Sequence, residues 1–257
     1  MLNWDEVRIP NGNEGEVWKQ FHQNTKQTDL HAMPSEEAVA VKMLQMFECF
    51  DDSRDAAVAL DSGRDLLSDS LRNALERRKS FASRVRTPLD LRSLSCILRY
   101  AYGFKNRMAN GRHARFVPSA GALYPLEIYV LASSVVGLDS GSYRYDVVKH
   151  ALVPMQPGVS ADKACSAFVQ RKEASAASAI VVVSSVFERV VFKYGDRGYR
   201  YCLIEAGHVG QNIAIIASDI GVNCLNACGF YDEILDASFG FDGIYQSSIY
   251  AAILGAS

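Results

Sequence analysis

The sequence lacks most of the spacings that cofactor and metal sites leave in a chain. Its six cysteines, Cys49, Cys96, Cys165, Cys202, Cys224 and Cys228, form no CxxC pair. No histidine stands at zinc-finger distance from them. Cys224 and Cys228 have no third or fourth ligand beside them, so no metal is expected. No GxGxxG follows a strand pattern and no GxxxxGK[ST] occurs, which excludes the two common nucleotide cradles. The GxSxG elbow of the α/β-hydrolases is missing too. No apolar run approaches the roughly 20 residues of a membrane helix. The opening MLNWDEVRIPNGNEGE has no cation-then-apolar signal, so a cytoplasmic protein without membrane contact is expected. One sign of charge does not dominate: 27 Lys and Arg against 29 Asp and Glu leave −2. That balance argues against a nucleic-acid partner.

What is present is a soluble globular composition. Apolar residues make up 49% of 257, enough for a full core, and charged residues 22%, too few for general disorder. The cysteines are dispersed through apolar stretches and read as buried, reduced thiols. Residues 1–35 read as an irregular arm. Ser35-Glu36-Glu37 then opens a helix with Val39, Met43, Met46, Phe47 and Phe50 at helical spacing. Further helices are expected over 65–78, after Pro88 to Gly103, over 161–169, over 199–220 with Gly221 at C′, and from Asp232. Strands are expected at 126–131, 179–187, 222–227 and 248–254, with a hairpin around Lys149-His150. Residues 105–115 read as a loop. Strands and helices interleave without regular alternation, which favours α+β over a doubly wound sheet.

Four segments could carry chemistry. Arg77-Arg78-Lys79-Ser80 gathers cations beside a hydroxyl, which suits a phosphate or simply a solvated helix end. Residues 118–125, PSAGALYP, combine small residues that admit a flat ligand with a hydroxyl that can donate to a ring carbonyl; a tight turn reads equally well. Lys193 and Tyr194 head a stretch rich in rings and cations, either acid/base groups or a surface loop. Cys228-Gly229 ends a strand where a backbone N–H could meet a ligand ring. His208, alone in the long helix, reads as a packing residue.

Together PSAGALYPLEIYV, YRYD, KYGDRGYRYCLIEAGHVGQN and GFYDE, in that order, resemble the SagB/McbC-type branch of the flavin-dependent nitroreductase superfamily. The likeness runs from about residue 77 to 255; FHQNTK at 21–26 resembles the arm that precedes this domain. The resemblance implies an α+β sandwich, a mostly antiparallel sheet flanked by helices, in an intertwined homodimer with FMN at each interface. It implies an arm and helix over 1–63 and an FMN-binding domain over 64–257. It implies dehydrogenation of thiazoline and oxazoline rings in a peptide natural product, with a cyclodehydratase complex as partner. Arg78, Lys79 and Ser80 would hold the FMN phosphate and ribityl chain. Pro118, Ser119, Ala120, Gly121 and Ala122 would line the flavin from the other subunit. Cys228 and Gly229 would lie over its ring, and Gln211 would border the pocket. Lys193 and Tyr194 match the catalytic pair. A second family arginine, two residues after the serine, is Ala82 here; Arg84 or Arg86 would have to replace it. The rival readings are an NAD(P)H-dependent nitro or quinone reductase and a non-catalytic scaffold subunit.

Overall fold

The computed structural model describes residues 17–28, 35–47, 61, 66–107, 113–155 and 164–256. Its centre is a six-stranded sheet, antiparallel throughout. The strands are β4 (Leu126–Ala132), β6 (Gly141–Asp146), β7 (Ala151–Pro154), β8 (Ala179–Val186), β9 (Val222–Ala227) and β10 (Gln246–Ala256), in the order β7-β6-β4-β8-β10-β9. β1 (Leu89–Asp90) pairs in parallel with β5 (Val135–Val136). β2 (Phe104–Arg107) and β3 (His113–Arg115) form a small hairpin. Eight helices occur among the described residues: α1 (Val17–Asn24), α2 (Glu36–Phe47), α3 (Asp69–Arg77), α4 (Leu91–Tyr102), α5 (Arg171–Ala176), α6 (Glu188–Tyr194), α7 (Arg197–Asp219) and α8 (Asp232–Phe239).

The sheet is covered on both faces. Leu94 and Ile97 of α4 and Val209, Ile213 and Ala217 of α7 pack with Val181 and Val183 of β8. On the other face Leu235 and Phe239 of α8, Ala174 of α5 and Phe168 pack with Ile180 and Val182. Burial on both faces is why β8 opens with a continuous apolar run, residues 179–183, rather than an alternating one. Asp90 caps α4 by accepting the Ser93 N–H at 2.8 Å. α7 lies close on β10 because Gly210 has no side chain; a Cβ there would fall 2.7 Å from the Tyr250 Cζ.

Several expectations need correction. The segment 105–115 is not simply a loop: strands β2 and β3 stand at its ends. The surface-loop reading of 193–201 is not what is observed: α6 runs through Tyr194, and α7 starts at Arg197, two residues before the expected start at Tyr199. In 161–169 the first three residues lie outside the described set, 164 and 165 are helical, and Val169 already donates to Gly229 O at 3.0 Å. The helix at Ser35 exists, but Val39 and Met43 are exposed, and Phe50 and Cys49 lie outside the described residues. Among the described residues no helix is long and apolar enough to cross a membrane.

The polar first 35 residues also hold a helix. α1 owes its place to tertiary contacts: buried Trp18 and His22 insert against Phe187 and Tyr199. His22 Nδ1 shares a hydrogen bond with Tyr199 Oη at 3.1 Å, and Trp18 N donates to Asp196 Oδ1 at 3.3 Å. Burial, with the Lys26 charge beside it, drives the His22 pKa down to about 4. The fold therefore holds a neutral imidazole. Its contribution is complete above the usual histidine value of 6.5 and is lost as pH falls towards about 4. Thermal melts should show this acid limb in the native protein and a weaker one in His22→Gln. An unchanged limb would remove His22 from the explanation.

Candidate functional site

Residues 118–125 leave β3 and enter β4 through a single 3-10 turn, Ala120–Ala122. Two prolines deny it a ladder. Gly121, Ala122 and Tyr124 have φ of 60°, 52° and 47°, so two side chains sit in the left-handed region. Such backbone costs energy and persists only where its surroundings enforce it. The enforcement is visible. Tyr124 N donates to Ser119 Oγ at 2.9 Å, and Arg115 N donates to Tyr124 Oη at 3.1 Å.

This turn meets the Lys-Tyr pair. A Cβ built on Gly121 would stand 2.7 Å from Tyr194 Oη and 3.5 Å from Lys193 Nζ. Glycine is needed there twice over, for its φ and for the space. Tyr194 is half-buried, its ring edge-on to Tyr201 at 5.1 Å; Lys193 is exposed, with Nζ 5.4 Å from the Tyr194 ring centroid. The end of α6 thus presents an ammonium and a phenol together, on a firm aromatic seat, facing a turn of small residues.

Behind the turn is a buried carboxylate that the sequence reading passed over. Glu205 is 3% exposed and accepts a hydrogen bond from Tyr102 Oη at 2.9 Å. The Ser119 hydroxyl and the Arg115 charge act to lower its pKa. Burial still pushes its carboxyl above the ordinary value, against the opposing pull of these partners. The same desolvation raises the Tyr102 phenol well above its usual range. The Arg115 guanidinium sits 4.2 Å from the Tyr102 ring centroid and 5.0 Å from that of Tyr124. Arg115 Nη1 is buried without a hydrogen-bond partner. A cavity of about 420 Å³ opens here, lined by Arg115, Ala122, Leu123, Tyr124 and Arg189 among others. A signal for Glu205 did exist: it falls on the apolar stripe of α7 with Cys202, Ala206 and Val209.

The cationic segment is elsewhere. Arg78, Lys79 and Ser80 follow the end of α3, where Arg78 Nη1 donates to Ser80 Oγ at 3.4 Å and Phe81 N donates to Cys224 O at 3.1 Å. Arg77 and Lys79 flank a cavity of about 220 Å³ whose other lining comes from Ala214, Ser218, Asn223 and neighbours, with no carboxylate among them. Arg84 is ion-paired to Glu173 at 2.8 Å, and Arg86 donates to Ser175 O. Both arginines near buried Ala82 are therefore engaged away from this cavity. Cys228 is exposed just past β9, its thiol raised by partial desolvation; Gly229 beside it packs on Val169. Gln211 is exposed on α7. His208 is also exposed, which corrects its reading as a packing residue. Cys165, Cys202 and Cys224 are buried thiols, and Cys96 is partly so.

Within one chain the expected site residues form separate groups. Tyr201 touches Tyr194 near the start of α7, whereas Ala214 and Ser218 border the cationic cavity near its end. The rise from Tyr201 to Ala214 alone is about 20 Å.

The sequence and the fold have parallels among known proteins. Residues 86–255 match the model of the Nitroreductase family. A protein of Methanocaldococcus jannaschii that bears a nitroreductase name is 36% identical over 66% of this chain and 83% of its own length. The trifolitoxin-processing protein TfxB of Rhizobium leguminosarum bv. trifolii is 27% identical over 65% of this chain, and the microcin B17-processing protein McbC of Escherichia coli 28% identical over 51%. This chain spans about half the length of those two proteins, 47% and 50%. A chain of the E. coli microcin synthetase McbBCD complex, solved with truncated pro-MccB17 bound, shares the fold at a TM-score of 0.73 and 21% identity, over 94% of this chain and 92% of its own. The chain belongs to the Nitroreductase family, and its likeness is to the McbC type within that superfamily. The α+β architecture expected from the resemblance is the one observed.

Proposed function

We propose that the protein is an FMN-dependent oxidoreductase that dehydrogenates thiazoline and oxazoline rings in a peptide, within a peptide-maturing synthetase. The observation that carries this reading is the meeting of Gly121 with Lys193 and Tyr194, which sets an acid/base pair against a turn open to a flat ring. Membership of the family supports a flavin oxidoreductase, and the two processing relatives support a peptide substrate.

The residues fit FMN. The cavity beside Arg77 and Lys79 has cationic walls suited to a phosphate, with Arg78 and Ser80 adjacent. The small-residue turn admits an aromatic ring system. Cys228, Gly229 and exposed Gln211 complete the proposed contacts. Because the cationic and turn groups stand far apart along α7, we assign Pro118, Ser119, Ala120, Gly121 and Ala122 to a flavin bound mainly by a second copy, in a homodimer. When bound, FMN supplies a two-electron acceptor for a hydride. The chain's own part is to orient the azoline and take the proton from the adjacent carbon. Lys193 Nζ and Tyr194 Oη are the two groups placed for that: the phenolate beside a cation is one arrangement, a neutral amine the other.

The test is direct. Purified protein should carry flavin absorbance, and an azoline-containing peptide should lose two hydrogens per ring. Fast bleaching of the flavin by NADPH without azoline oxidation would favour the nitro or quinone reductase reading instead. A colourless protein that takes up no flavin would leave only the scaffold.

A further inference from the structure

The cavity beside the turn carries a charge that the chemistry above does not use. His113, Arg115 and Arg189 line it together with Phe104, Leu123 and Tyr124, and no Asp or Glu is among its described lining residues. The Arg115 guanidinium rests on the rings of Tyr102 and Tyr124, 4.2 and 5.0 Å from their centroids. Rings hold a guanidinium in place without neutralising it. Among the described residues Arg115 makes no ion pair, and its Nη1 is buried without a hydrogen-bond partner. Glu205 behind the turn feels the Arg115 charge, but burial pushes that carboxyl towards its neutral form. Arg189 commits Nη1 to Glu127 Oε1 at 2.6 Å and lines the cavity as well. The cavity adjoins the acid/base pair from two sides. Ala122 and Leu123 of its wall follow Gly121 directly, and Arg189 precedes Lys193 by four residues on the same face of α6.

We propose that this cavity is a substrate subsite for a carboxylate, the side chain of an acidic residue one or two positions from the ring that is oxidised. The inference rests on the azoline reading given above and names what that substrate carries beside the ring. A guanidinium presents its donors in a planar fork that matches the two oxygens of a carboxylate, and the bonds are charge-assisted. The aromatic and apolar walls lower the local polarity, which strengthens such bonds relative to water. The spacing fits as well. Four residues of α6 rise about 6 Å, which is about the reach of two residues of extended peptide. An amide side chain of the same shape brings an oxygen without the charge, so Asn in place of Asp should bind less well.

The experiment uses FMN-loaded protein and pairs of azoline peptides that differ only by Asp or Asn at the positions flanking the ring. The native chain is compared with Arg115→Met and Arg115→Lys. Methionine keeps an unbranched chain against the two rings and removes the charge; lysine keeps the charge and loses the fork. The native protein should prefer the Asp peptide by roughly tenfold to a hundredfold in kcat/KM, the worth of one charge-assisted hydrogen bond. The preference should lie in KM, with kcat shared, because the carboxylate is remote from the reacting atoms. Arg115→Met should abolish it and Arg115→Lys should keep part of it, while flavin titration gives the same FMN affinity for all three. Arg189→Met, which removes the second cation of the wall, should also weaken the preference, and it decides the matter if Arg115→Met loads no flavin. Equal kcat/KM for the two peptides in the native protein, or an undiminished preference in Arg115→Met, would overturn the subsite and leave the azoline reading standing. If neither peptide is oxidised, the azoline reading fails by itself, and calorimetry with benzoate, a flat carboxylate probe, reads the cavity alone. Benzoate binding that Arg115→Met abolishes upholds a carboxylate site; no binding removes it too.

Discussion

Lys193→Ala and Tyr194→Phe should each slow azoline oxidation by about a hundredfold to ten-thousandfold, the usual worth of a positioned acid/base group, while leaving flavin content unchanged. Tyr194→Phe is the cleaner variant. It keeps the ring against Tyr201 and removes one oxygen. Lys193→Ala removes an exposed ammonium from the end of α6 and costs little packing. Both effects should therefore appear in turnover and not in melting temperature. Single-turnover rates with a loaded enzyme and an azoline peptide would measure them. The two variants also separate the arrangements of the pair. If the phenol is the base, Tyr194→Phe should be the more damaging. If the amine is the base, the order reverses. Native turnover in both variants would remove the pair from the mechanism.

Asp236→Ala should lower the free energy of unfolding by about 3 kcal/mol, the usual cost of stripping one partner from a buried ionic network. Asp236 is 2% exposed. Its oxygens accept from Ser247 Oγ at 2.7 Å and Ser248 N at 2.6 Å, and Lys26 Nζ lies 3.9 Å away. Lys26 Nζ also donates to Gly243 O at 2.6 Å. Removing the carboxylate strands a buried backbone N–H in β10 and a nearly buried ammonium in the arm. Asp236→Asn should cost about half as much, because its carbonyl can still accept from Ser248 N. Urea titration of the three proteins measures this. A loss under about 1 kcal/mol for alanine would show that the network is replaced by water at little cost.

The elements with strong periodicity were legible. α7 announced itself by a 3.6-residue apolar stripe, with Gly221 following its end. β8 was marked by length and β-branched residues. The turn at 118–125 and the Lys-Tyr pair were legible as composition, and the structure brings them into contact. What sequence could not supply were features created by tertiary partners. α1 is polar and short, and only Phe187 and Tyr199 make its Trp18 and His22 into core residues. β2 and β3 are short and mostly polar, four and three residues, so no alternation marked them. Glu205 looks like any helix glutamate until its apolar neighbours on the stripe are counted. The distance between the cationic segment and the turn was invisible as well, since it depends on which end of α7 each one packs against.

The docking of residues 17–28 has a consequence for biosynthesis. Its contacts reach across nearly the whole chain: Trp18 to Asp196 over 178 positions, Lys26 to Gly243 over 217 and Gln23 to Gly243 over 220. A ribosome releases this segment long before α7, α8 and β10 exist. The segment made early must wait, with Trp18 uncovered, for partners that lie 178 to 220 positions further along. Contacts of such separation carry a high loop-closure entropy and form late in folding. The arm therefore closes over a domain already built and marks its completion.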